Sequence, residues 1–157
     1  MIKNKCGTIF VLGTLSLLTA CVPFKKLENE SDIHNKIGGS WTVMHDGHRK
    51  IENITPPAFI EFNENNNISG FDGCNKFSGT YRMDYGVLKA SIKSSRMACN
   101  NSIVKEVSNN MHFLLKNGAR VVSIDFMGAK AIQLANKDNN VELRFGRTEQ
   151  LNKDKNN

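Results

Sequence analysis

The sequence has no apolar run long enough to cross a membrane. Its longest apolar-rich stretch, Thr8 to Leu18, covers about 11 residues, where a spanning helix needs about 20. It also lacks a basic block. The longest Lys/Arg run is Lys25-Lys26, and no aromatics interleave with a basic stripe. The net charge of +6 and pI of about 9.2 therefore read as dispersed, solvated cations, with no nucleic acid as partner. There is no Gly-x-Ser-x-Gly elbow, phosphate-binding loop, dinucleotide fingerprint or His-Glu-x-x-His pair. No catalytic residue, cofactor or metal is expected on that ground. Only four cysteines occur, and none forms Cys-x-x-Cys, which argues against thioredoxin-like chemistry.

What is present starts at the N-terminus. Lys3 and Lys5 form a positive segment, and the short apolar run follows. This is the build of a signal peptide. The run ends in Leu18-Thr19-Ala20-Cys21, which looks like a bacterial lipobox, where cleavage precedes an acylated cysteine. The alternative is an ordinary secretory signal with an incidental cysteine. On the lipobox reading residues 1–20 are removed, and the loss of Lys3 and Lys5 leaves a charge of +4. Cys21 carries the acyl chains that anchor the protein to the membrane, and more than one chain makes the anchoring stable. Val22, rather than Asp, next to it points to the outer membrane, with the domain facing the periplasm. Residues 21–36 are polar and without period, and read as a flexible tether.

From Gly38-Gly39 the chain alternates in short segments. Strands are expected at Ser40–His45, Ala58–Phe62, Ile68–Phe71, Phe77–Met83, Val87–Ile92, Arg120–Phe126, Ala129–Ala135 and Val141–Phe145. Asp46-Gly47 marks a hairpin turn. One helix is expected from Asn101 or Ser102 to about Lys116. Ile103, Val104, Val107, Met111, Leu114 and Leu115 form its stripe, and Asn117-Gly118 its stop. The fold class is α+β: a mostly antiparallel curved sheet or partial barrel with one α-helix over residues 37–147. Residues 148–157 read as a polar, frayed tail.

The densest motif is Gly70-Phe71-Asp72-Gly73-Cys74-Asn75-Lys76-Phe77-Ser78-Gly79-Thr80-Tyr81, followed later by Met97-Ala98-Cys99. The order Gly70, Gly73-Cys74-Asn75, Gly79, Tyr81, Met97-Ala98-Cys99 resembles the META domain of HslJ-like lipoproteins. Trp41, the helix and the closing Leu143-Arg144-Phe145 are also similar. The resemblance spans roughly residues 36–147. One departure is Ser95, where the family commonly has Thr; the hydroxyl is kept. The resemblance implies a compact antiparallel β domain with one helix, no established enzymatic activity, and loose links to heat shock, antibiotic tolerance, motility or secretion. Such folds are similar to the cracked barrel of secretion pilotins.

Several residues remain as candidates. With Cys6 removed and Cys21 acylated, Cys74 and Cys99 are the pair left in an oxidising compartment, where a disulfide is favoured. Two buried thiols, or a redox or metal role, are the alternatives. His45, Asp46 and His48 share a turn and could gather on a metal; surface placement is the plainer reading. Asn75 and its glycines satisfy a tight turn or hold an oxyanion. If the sheet stays open, Phe59, Phe62, Phe77, Met111 and Leu114 line an apolar groove. Two functions follow. One is a non-catalytic outer-membrane lipoprotein of envelope stress or maintenance. The other is a pilotin-like module that takes an acyl chain or a hydrophobic peptide and assists secretion or assembly; an envelope protein or a hydrophobic ligand is the partner expected.

Overall fold

The computed structural model describes residues 30–52 and 54–154. The signal segment and Cys21 lie outside them. The elements are α1 (Glu30–Ile37), β1 (Gly39–Asp46), β2 (Arg49–Lys50), β3 (Phe59–Phe62), β4 (Asn67–Phe71), β5 (Lys76–Asp84), β6 (Val87–Ser94), α2 (Ser102–Asn117), β7 (Ala119–Phe126), β8 (Ala129–Asn136), β9 (Val141–Arg147) and α3 (Thr148–Asp154).

All strand pairings are antiparallel, in the order β1-β3-β4-β5-β6-β7-β8-β9, and β9 pairs back onto β1. The result is a closed eight-stranded barrel, with β2 a short ribbon beside β1. The expected partial barrel is thus corrected to a closed one. Closure comes from the register Trp41↔Arg147 through Asp46↔Leu143, a pairing between chain ends that no local pattern announces. The thinnest seam is β6–β7, held by only Val87↔Arg120 and Leu88↔Ala119.

Helix α2 packs against β6, beside this seam, and against β9 and β8, with its other face exposed. Asn101 caps it, its Oδ1 accepting from Ile103 N (2.9 Å) and Val104 N (3.2 Å). Gly118, at φ +101°, ends it through Gly118 N to Leu114 O. Val107, Met111, Leu114 and Leu115 of its stripe are fully buried, each stabilising by about 1.5–3 kcal/mol. They meet Trp41, Ile60, Ile132, Leu134, Leu143 and Phe145 from the strands.

The single expected helix becomes three. Residues 30–36, expected within the tether, lie in α1, which drives Ile37 into the core. Trp41 Nε1 donates to the Ile37 carbonyl at 2.6 Å. The tail expected to fray from Thr148 instead forms α3, directly after β9. Ser40 and Thr42 hold Thr148 Oγ1, both at 3.0 Å. Gln150 clasps the β7–β8 tip through Lys130 N (3.0 Å) and the Gly128 carbonyl (2.8 Å). Helices of seven or eight residues have no period to read, and tertiary contacts make them.

The register places the elements at two ends. The β4–β5 loop, the β1–β2 turn and the α2 N-terminus share one end. At the other lie the start of β1 with α1, the β5–β6 turn and the β7–β8 tip.

Candidate functional site

The β4–β5 loop holds the motif Gly70 to Asn75. Its centre is Asp72, fully buried. Asp72 Oδ1 accepts from Cys74 N at 2.8 Å and Asn75 N at 2.6 Å. Asp72 Oδ2 accepts from Ser108 Oγ at 2.8 Å and His112 Nε2 at 2.9 Å. Burial opposes the charge on this carboxyl. The donors, His112 foremost, outweigh it and hold the carboxyl below its ordinary value. An ionised Asp72 has no proton to give, so His112 is the donor through Nε2–H.

Asn75 is the second node. Its Oδ1 accepts from Met97 N at 2.6 Å and Ser95 Oγ at 3.1 Å. These bonds tie the β4–β5 loop to the segment before Cys99, and Asn75 Nδ2 is turned to Cys99 Sγ at 4.0 Å, the arrangement of a side chain that satisfies a turn. Cys74 and Cys99 are joined, with Cα atoms 5.7 Å apart. Gly73 has φ +95°, and a Cβ there would press on Val104 of α2 at 3.1 Å. The loop therefore needs glycine for conformation and for helix contact. Gly79 lies further along β5, where a Cβ would collide with the Ser91 carbonyl.

The structure thus brings Gly70, Gly73, Cys74, Asn75, Met97 and Cys99 to one end of the barrel. Ala98 is exposed beside them. Tyr81 is apart and buried, edge-on to Phe62 at 5.2 Å, with its hydroxyl lacking a hydrogen-bond partner among the described residues. Burial alone raises its pKa. Ser108, His112 and Asp72 were not singled out from sequence. Their signal was a Ser and a His four apart on the α2 face that also carries Val104 and Met111.

Ser, His and Asp in contact invite comparison with a hydrolase triad. The wiring differs. A nucleophilic serine donates to histidine, and histidine to aspartate. Here serine and histidine both converge on one carboxylate oxygen, and Ser108 is buried. The hydroxyl proton is committed to Asp72. The cluster acts as a latch between loop and helix.

The expected groove is corrected. Phe62, Met111 and Leu114 are core residues, because the closed barrel encloses them. Phe59 instead borders an outer-face cleft of about 820 Å³ with Pro56, Phe71, Lys76, Lys93 and one edge of the otherwise buried Phe77. Phe59 and Phe71 are direct cross-strand partners. Neither lysine has an acidic partner among the described residues. At the β1–β2 turn, Asp46 is engaged by Arg49 at 3.2 Å and Asn110 at 2.9 Å. No group of three metal-ligating residues occurs among the described residues.

Comparison with known proteins agrees with this geometry. The family model "META domain" matches residues 34–150. Heat shock protein HslJ of Escherichia coli (strain K12) is 39% identical over 66 residues, covering 41% of this chain and 46% of that protein. The matched stretch is therefore less than half of the relative's length. A protein solved by NMR has a TM-score of 0.58 at 26% identity, over 71% of this chain and 91% of its own. Another, from Burkholderia xenovorans, has a TM-score of 0.59 at 21% identity over 76% and 88%, a likeness of fold alone. The chain belongs to the META domain family.

Proposed function

We propose that the protein is a non-catalytic lipoprotein, held to the outer membrane through Cys21 with its barrel in the periplasm, serving envelope stress response or maintenance. The observation that carries this reading is the Cys74–Cys99 bond at the heart of the family motif, set beside Leu18-Thr19-Ala20-Cys21. Both chemistries belong to an exported protein. That the relative HslJ is a heat shock protein supports the stress context. The latch wiring of Ser108, Asp72 and His112 supports a role without catalysis. Fractionation of membranes washed in high salt, which strips electrostatic association but not an acyl anchor, tests it: Cys21→Ser should move the protein from the membrane fraction to the soluble fraction. Retention of the variant in the membrane would sink the anchor.

The outer cleft favours a second reading, a module that takes an acyl chain or a hydrophobic peptide. Its aromatic pair and unpaired lysines fit an apolar ligand with a negative end. Native mass spectrometry should then show an adduct that Phe59→Asp removes. A bare mass from protein purified without detergent would dismiss it.

A further inference from the structure

Six large hydrophobic side chains are exposed among the described residues, and four share the α1 end of the barrel. Tyr85 sits in the β5–β6 turn at 85% exposure, and Met127 at the β7–β8 tip at 92%. Val122 and Ile124 lie on β7 just below, each 42% exposed. This hairpin projects past the seam, since β6 pairs with β7 no further than Arg120. Its tip does not hang loose, because Gln150 clasps both Gly128 and Lys130.

The cations at this end are also unusual. Arg82 and Lys89 are direct cross-strand partners and both exposed, an opposition that costs stability unless an anion intervenes. Arg120 and Lys130 are exposed at the two ends of the hairpin. None of the four forms an ion pair among the described residues. Acids are present at this end too: Asp84 closes β5, Asp125 is the cross-strand partner of Lys130, and Glu149 precedes Gln150 in α3. Beside the hairpin, a cavity of about 360 Å³ lies between Asn35 of α1, Trp41, Ser123 and Arg147. Arg147 stacks on Trp41 with its guanidinium carbon 4.7 Å from the ring centre.

We infer that this end is a membrane-docking face, with Tyr85, Val122, Ile124 and Met127 entering the interface of an anionic phospholipid bilayer and Arg82, Lys89, Arg120 and Lys130 meeting its phosphates. Apolar tips ringed by cations are what such an interface binds. Chain length points the same way. Residues 22–29 are all that separates Cys21 from α1, and eight residues reach about 30 Å at most. The inference rests on the lipid-anchor reading, which places a bilayer within that reach of this end. The opposite, disulfide-bearing end then faces away from the membrane.

The test removes the anchor. The chain from residue 21 onward with Cys21→Ser keeps every core residue, Ile37 to Phe145. It is floated with vesicles of phosphatidylglycerol mixed with phosphatidylcholine, and with phosphatidylcholine alone. Binding to the anionic vesicles only, weakening with salt, is expected. Met127→Ser with Tyr85→Ser, and separately Arg82→Glu with Lys130→Glu, should each weaken binding about tenfold. The far-side pair Lys76→Glu with Lys93→Glu should change it little. Absence of binding, or equal loss from the far-side pair, overturns the docking face. So does a soluble dimer through the hairpin in place of vesicle binding. Acylation of Cys21 is read separately by fractionation, so the anchor and the face fail independently.

Discussion

The two ends of the barrel solve opposite problems. At the motif end, every polar group of the β4–β5 loop described above is spent inside the molecule. Asp72 takes four donors, Asn75 takes two, and a disulfide closes the loop. At the α1 end, Arg82, Lys89, Arg120 and Lys130 form no ion pair among the described residues, and Tyr85, Val122, Ile124 and Met127 are exposed. Satisfied groups hold a structure together, whereas unsatisfied ones wait for something else. The sequence motif that announces the family therefore marks the lock. Apart from the Phe59–Phe71 cleft, which the motif strands border on the outer face, the larger surface left free to bind lies where the motif is absent.

The strongest way to break this contrast is Asp72→Ala. It orphans two backbone N–H groups, Ser108 and His112 in one step, and should cost about 3–5 kcal/mol, measured by urea unfolding. Acid should do the same more gently. The Asp72 carboxyl titrates lower folded than unfolded. Its contribution is full above the unfolded value of about 3.9 and is lost as pH falls through the folded value. The gap in stability between parent and Asp72→Ala should therefore close below about pH 4. A gap that persists in acid would remove Asp72 ionisation from the lock.

Next in size is the disulfide. Cys74→Ser with Cys99→Ser opens a link between residues 25 apart and should lower stability by about 3.5 kcal/mol. Thermal unfolding checks this, and a loss under about 1 kcal/mol would mean that Asp72 and Asn75 hold the loop unaided. Smallest are changes at the other end. Met127→Ser should alter global stability by less than about 0.5 kcal/mol. Gln150→Ala should loosen the hairpin tip and leave the core intact. A large global loss from either would make the α1 end structural and blunt the contrast.

Much of this was legible beforehand. The strand segments followed alternation, and α2 followed its stripe with Asn101 and Gly118 as caps. The pairing of Cys74 with Cys99 followed from compartment and count. Asp72 was overlooked although it stands inside the motif. Its partners Ser108 and His112 sit more than thirty residues away, and one sequence cannot say which helix face meets which loop. Barrel closure was hidden for the same reason, since Val43 and Phe145 come from opposite ends of the chain. That closure decided the fate of Phe62, Met111 and Leu114: the residues that would line a groove in an open sheet fill the core of a closed one. Helices α1 and α3 were missed because tertiary contacts fix them: Ile37 sits in the barrel core, and Thr148 bonds Ser40 and Thr42 more than 100 residues away.

Native-state hydrogen exchange, read amide by amide across both ends, addresses the lock most directly. The amides of Cys74, Asn75 and Met97 donate to Asp72 and Asn75. They should exchange only through global unfolding, while the β7 amides between Val122 and Phe126 that point away from β8 exchange by local opening. If the Cys74, Asn75 and Met97 amides exchange as readily as those of β7, the motif is no lock and the contrast between the ends collapses.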